Sequence, residues 1–146
     1  MPERAGILVL DASAAAKWFL NEPGADSAAE LLEQTSQGRW QLAAPALLQY
    51  ELTHVFWKRR ALGYNRGQLE LAFRELEALG LQYAPLDSLF PRALEVVYRM
   101  DIAIYDAFYV ALALALKGTL ATFDVELMKR VKKNSPLPIY AFKKST

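Results

Sequence analysis

Short apolar runs alternate with longer stretches of helical period along nearly the whole chain, and that alternation leaves few architectures open. Residues 7–10, Ile-Leu-Val-Leu, form the continuous apolar run that a strand needs when both of its faces are covered. Similar runs follow at 42–44, 81–86, 119–123 and 139–142. Between them, segments 14–20, 25–34, 46–61, 67–79, 89–99, 105–116 and 125–132 repeat apolar residues at helical spacing. Strands alternating with helices form βα units, which build a parallel sheet with helices on both faces. The expected fold is α/β: a three-layer α/β/α domain around a central parallel sheet of about five strands. At 146 residues, with no internal repeat or linker, the chain reads as one domain, 1–146. Pro45 suits the first turn of a helix, Gly80 and Gly118 suit helix C-termini, and Asn134-Ser135-Pro136 closes the last helix.

Composition removes several chemistries. There is no cysteine and only one histidine, His54, so thiolate zinc sites, cysteine nucleophiles, disulfide scaffolds and multi-histidine metal sites are excluded. Carboxylates, hydroxyls, lysines and backbone amides remain, and carboxylates suit hard cations such as Mg²⁺ or Mn²⁺. The longest apolar stretch, 102–116, carries Asp106 and is shorter than the roughly 20 residues of a membrane span, so a soluble cytoplasmic protein with no membrane partner is expected. The formal net charge of +1 conceals an asymmetry: every charged side chain after Glu126 is basic, namely Lys129, Arg130, Lys132, Lys133, Lys143 and Lys144. Such a cluster either solvates a terminal helix and tail or meets a phosphate-rich partner.

Four acids stand where acids are unfavourable. In the helix that follows Pro45, with Leu47 at 0° and about 100° per residue, Glu51 falls near 40°, inside the arc of Leu48, Leu52 and Val55. A carboxylate there must meet a cation, be protonated, or open onto a polar cleft. From 102 to 116, Asp106 is the only charged residue in a helix apolar on nearly every face. Asp11 and Asp124 follow the first and fourth apolar runs directly, where an ordinary Asp caps a helix. In an open parallel sheet, ligands bind beyond the carboxyl ends of the strands, so both would sit on that rim. A cluster of all four would repel itself unless a divalent cation joined it.

The blocks Val9-Leu10-Asp11-Ala12-Ser13, Ala44-Pro45 with Glu51, Tyr105-Asp106-Ala107-Phe108-Tyr109-Val110-Ala111-Leu112-Ala113, and Ala121-Thr122-Phe123-Asp124 resemble, in order, the four motif blocks of PIN-domain ribonucleases. Within that group the chain most resembles the VapC-type toxins of prokaryotic toxin–antitoxin pairs. The resemblance implies an acidic pocket holding Mg²⁺ or Mn²⁺, endonucleolytic cleavage of RNA, a homodimer, and inhibition by a small cognate antitoxin. Carried over by position, Asp11, Glu51, Asp106 and Asp124 match the catalytic, metal-binding quartet, and Ser13 and Thr122 match its accessory hydroxyls. Glu126 joins as an outer acid or as a first-turn helix acid. His54 departs from the pattern: many members carry Asn three residues after the helical Glu, and here it either bonds nearby polar groups or lies on the cleft wall.

On this reading Lys129, Arg130, Lys132 and Lys133 hold the RNA backbone, and Trp18, Tyr105 or Tyr109 stack bases unless they pack in the core. Helices starting at Ala14 and Ala25 offer apolar surface for pairing two copies. The alternative is a catalytically silent PIN-like module that binds RNA or protein. A phosphotransfer receiver needs paired acids after the first strand and has only Asp87 in a fitting position; an aspartate-nucleophile phosphatase needs Asp-x-Asp where this chain has Asp11-Ala12-Ser13.

Overall fold

In the computed structural model, which describes residues 5–143, the apolar run after Ala5 becomes the strand β1 (Gly6–Leu10). Leu8, Val9 and Leu10 are wholly buried, as expected for a strand covered on both faces. β1 pairs in parallel with β2 (Trp40–Pro45) on one side, Leu8 opposite Leu42, and with β4 (Thr119–Ala121) on the other, Leu8 opposite Thr119. β3 (Gln82–Ala84) extends the sheet beyond β2, giving the order β3-β2-β1-β4. The order reverses at β1, whose two neighbours both come later in the chain.

Helices α1 (Ala12–Phe19), α2 (Ala25–Ser36), α3 (Leu47–Lys58) and α4 (Arg66–Ala78) pack among themselves. A second group, α5 (Leu86–Met100), α6 (Ile104–Leu116) and α7 (Val125–Asn134), is built around the contact between α5 and α6. α6 lies against β1, β2 and β4, and all seven residues from Ala107 to Ala113 are buried. That explains its nearly all-round apolar sequence. Small residues are wholly buried in both layers, Ala44 and Ala121 in the sheet and Ala107 and Ala111 in α6.

Several boundaries differ from expectation for local reasons. Segment 139–142 contributes one parallel bridge, Ile139 to Leu120, in place of a full fifth strand. Leu120 makes both bonds of that bridge, donating to the Pro138 carbonyl and accepting from the Tyr140 amide, and the pairing goes no further because β4 ends at Ala121. Pro45 ends β2 rather than entering the first turn of α3, and Pro85 ends β3 so that α5 starts at Leu86. α3 stops at Lys58, and a 3₁₀ turn at Arg60–Leu62 leads to Gly63 with φ of +96°. The apolar surface expected on α1 for pairing two copies is spent internally, because Ala14, Ala15 and Ala16 are buried. Large exposed apolar side chains lie elsewhere, as at Phe90, Leu94 and Tyr98 on α5. Lys144 falls outside the described residues. No helix among the described residues is long and apolar enough to cross a membrane.

Gly118 serves the sheet rather than the helix end. Lys117, with φ of +51°, takes the left-handed position that closes α6. A Cβ on Gly118 would lie 2.8 Å from the backbone oxygen of Ile7, a neighbour fixed in β1. Gly118→Ala should therefore push β4 from β1 and destabilise the fold by about 1–3 kcal/mol, read as a lower denaturation midpoint.

Candidate active site

The rim is assembled where β1 and β4 end side by side. The amide of Asp11 donates to the carbonyl of Ala121 at 3.1 Å, carrying the pairing one residue past β1. Beyond that point the chains leave the sheet because side-chain hydroxyls capture their amides. Ser13 Oγ accepts from the Phe123 amide at 2.9 Å, and Thr122 Oγ1 accepts from the Asp124 amide at 3.0 Å. This is why β4 ends at Ala121 rather than running to residue 123. Ser13 Oγ also donates to Asp11 Oδ1 at 2.7 Å and lies 3.3 Å from Thr122 Oγ1. Asp11 is buried, and Thr122 wholly so.

Asp11 and Asp124 do cap helices. Asp11 Oδ1 accepts from the Ala14 amide at 2.9 Å at the start of α1, and Asp124 Oδ1 accepts from the Leu127 amide at 3.1 Å at the start of α7. Capping engages Oδ1 of each carboxylate, so it does not compete with a second role for the other oxygen. Asp106 is not a cap. It sits half-buried in the first turn of α6, where Ala103 is the N-cap, and Asp101 instead closes α5 and pairs with Arg130.

Glu51 reaches the same neighbourhood from α3. Half-buried, it accepts a hydrogen bond from Tyr109 Oη at 2.6 Å. Tyr109 is one of the largest fully buried side chains, so core packing, not base stacking, sets its ring. Its hydroxyl role was legible only as a spacing, since it lies three residues after Asp106 and hence on the same side of α6.

Electrostatics tie the four acids together. Burial pushes the Asp11 carboxyl up to about 6, against the hydrogen bonds from Thr122, Ser13 and the Ala14 amide, and the Asp106 charge adds to the rise. Asp106 is also pushed up to about 6, by burial and then by the charges of Asp124 and Glu51. Burial and the charge of Glu51 drive the Tyr109 hydroxyl strongly upward, so it stays protonated as a donor. No Lys, Arg or His lies within 4.0 Å of any of the four carboxylates among the described residues. Nor do three acids there stand close enough together to form a ready-made metal cage. Asp106 and Asp124 share the wall of a cavity of about 190 Å³ with Asp101, Glu126 and Arg130.

The outer residues divide. Glu126 is an exposed first-turn acid of α7, 3.7 Å from Arg130. Arg130 also donates to Asp101 Oδ2 at 2.7 Å, which commits it to these two acids. Lys129, Lys132 and Lys133 are exposed. Trp18 is half-buried with its indole N–H on the Ala28 carbonyl at 2.7 Å, whereas Tyr105 is exposed. His54 is exposed, its ring stacked on Trp57.

The family profile of the PIN domain matches residues 8–134, a stretch that contains all four acids. The chain belongs to the PIN domain family. Ribonuclease VapC3 of Pyrobaculum aerophilum is 30% identical to this PIN protein over 129 residues, covering 84% of this chain and 93% of that one. The fold resembles that of VapBC2 from Rickettsia felis, a structure bound to a DNA fragment from their promoter, with a TM-score of 0.70 and 17% identity over 94% of this chain and 99% of that one. It also resembles VapBC-1 from nontypeable Haemophilus influenzae, with a TM-score of 0.61 and 17% identity over 92% and 96%. At such identities the structural likeness concerns the fold alone.

The raised carboxyls give the metal-free PIN protein a characteristic pH response. Asp11 and Asp106 each have a folded-state value of about 6 against an unfolded value of 3.8. Below that lower value both are protonated whether folded or not; above the upper value the folded state alone bears the burden of ionising them. Stability should fall as pH rises from about 4 to about 6. In melts with chelator present, Asp106→Asn should flatten that slope.

Proposed function

We propose that this PIN protein is a divalent-metal-dependent endoribonuclease, and that it acts as the toxin of a toxin–antitoxin pair. The observation that carries the proposal is the mutual repulsion of four carboxylates, with Asp106 feeling Asp124 and Glu51 and Asp11 feeling Asp106, while none of the four is paired with a Lys, Arg or His within 4.0 Å among the described residues. Two of them are already pushed toward neutrality by burial and by their like-charged neighbours. An all-oxygen, anionic donor set of this kind fits Mg²⁺ or Mn²⁺ and does not fit a soft metal. The residues present therefore suit the cation that the family resemblance implies.

Asp11, Asp106 and Asp124 would hold the cation, with Glu51 beside them. A divalent ion so held supplies Lewis acidity toward the scissile phosphate and the attacking water. The chain's own part is positional. Ser13, Thr122 and the Ala14 amide orient Asp11, the α7 amide at Leu127 orients Asp124, and Tyr109 fixes one oxygen of Glu51. Exposed Lys129, Lys132 and Lys133 on α7, the helix that Asp124 caps, attract the RNA backbone. Water attacking in line with the leaving 3′ oxygen forms one P–O bond as the other breaks, leaving 5′-phosphate and 3′-hydroxyl ends.

The toxin reading draws on the similarity to Ribonuclease VapC3 and to the VapBC structures. It brings an antitoxin partner with it, and a homodimer for which Phe90, Leu94 and Tyr98 on α5 are available apolar surface. A silent binding module gains nothing from an acidic pocket facing a polyanion, which favours the catalytic reading.

Incubation with a mixed single-stranded RNA pool, with Mn²⁺ or with chelator, tests the proposal by sequencing the new ends. Wild-type protein should cut only with metal, and Asp106→Asn should remain folded and lose cleavage; metal-independent cutting, or full activity in the variant, would exclude the mechanism. Tyr109→Phe keeps the buried ring and removes the hydrogen bond to Glu51. It should lower kcat about tenfold with KM little changed, the loss expected when a group that acts through a hydrogen-bonded carboxylate is released.

A further inference from the structure

Beyond Glu51, the exposed side of α3 carries a column of stacked π systems. The His54 ring lies on that of Trp57, with centroids 6.0 Å apart and planes inclined by 21°. The guanidinium of Arg60 covers Trp57 at 4.2 Å from the ring centroid, and Arg60 Nη1 donates to the Trp57 carbonyl at 2.8 Å. The three residues follow one another at intervals of three, so His54 stands at the end of the column nearest the candidate active site. Glu51 is one turn away on the same helix, about 4.5 Å along its axis.

Two features separate this column from ordinary surface aromatics. Trp57 is 56% exposed, so a large part of its indole is open to solvent. Lys58 and Arg60 beside it are paired with no carboxylate among the described residues, unlike Arg59, which meets Glu22 at 3.4 Å. Stacked rings and uncompensated positive charge together match single-stranded nucleic acid. Unpaired bases stack on His, Trp and Arg planes, while cations meet the phosphates. The exposed apolar row on α5 lacks this combination, since Glu95 stands among its arginines.

We propose that His54, braced by Trp57 and Arg60, is the platform on which an RNA base next to the cleaved phosphodiester stacks, so that the substrate is single-stranded at that position. The inference rests on the ribonuclease reading and adds to it a residue that positions substrate. It also gives a physical role to the histidine that departs from the family pattern. Such a platform needs a flat ring and not a hydrogen-bonding nitrogen, so phenylalanine should replace His54 and alanine should not.

Fluorescence anisotropy with labelled oligoadenylate and oligouridylate, in chelator so that binding is read without cutting, tests this directly. His54→Ala and Trp57→Ala should each weaken RNA binding about tenfold, and His54→Phe should restore it to within about twofold of wild type. In Mn²⁺ the same losses should fall on KM more than on kcat. Unchanged affinity in both alanine variants would overturn the platform and leave the α3 face to a protein partner; a phenylalanine variant as weak as the alanine one would also overturn it. Each failure leaves wild-type cleavage intact, whereas a wild-type protein that neither binds nor cuts RNA would defeat the ribonuclease reading itself.

Discussion

The candidate site depends on two hydroxyls that join the ends of β1 and β4. Ser13 donates a hydrogen bond to Asp11 and accepts one from the amide of Phe123, while Thr122 accepts one from the amide of Asp124. These bonds satisfy backbone groups that the sheet has released at its carboxyl edge. They also bring Asp11 and Asp124, far apart in sequence, to one rim. Replacing either hydroxyl with an apolar group would take the acceptor from a partly buried amide and loosen the turn that holds both acids.

That rim is held under electrostatic tension. Desolvation and like charge act in the same direction on Asp11 and Asp106; hydrogen bonds oppose them at Asp11, and nothing opposes them at Asp106. The chain meets the problem with neutral donors, Ser13, Thr122, Tyr109 and backbone amides, and not with arginines or lysines. A neutral donor orients a carboxylate while leaving its charge available to a cation or a substrate; a salt bridge would consume that charge. Nearby Arg130 illustrates the contrast, because it is engaged with Asp101 and Glu126, acids outside the quartet.

Charge and shape are distributed around the rim with a similar economy. Acids occupy the sheet edge, exposed lysines line α7 on one side, and α3 presents stacked rings with Lys58 and Arg60 on the other. An extended anionic polymer crossing the edge would meet attraction on both flanks and repulsion at the centre. On the proposed reading, a cation held among the acids would ease the central repulsion, while the flanks would attract the polymer with or without it.

The alternation of strand and helix, and the presence of an acid at each critical strand end or helix, could be read from residues 7–10, 102–116 and 119–124 because periodicity and capping act within a few residues. The order of the strands could not, since β1 meets β4 across more than a hundred intervening residues. Nor could the partner of Glu51: its place inside the apolar arc of α3 announced an unusual environment, but the Tyr109 hydroxyl arrives from a helix 58 residues later. The fifth strand shrank to a single bridge because its partner β4 ends at Ala121, beyond which the Phe123 and Asp124 amides turn to side-chain hydroxyls. Sequence alone determined which elements form and which carboxylates they carry, since those properties belong to short stretches of chain. Tertiary packing alone decided that the charges of these carboxylates act on one another through Asp106, what orients them and how far burial raises them, because hydrogen bonds and desolvation depend on neighbours that only the folded chain supplies.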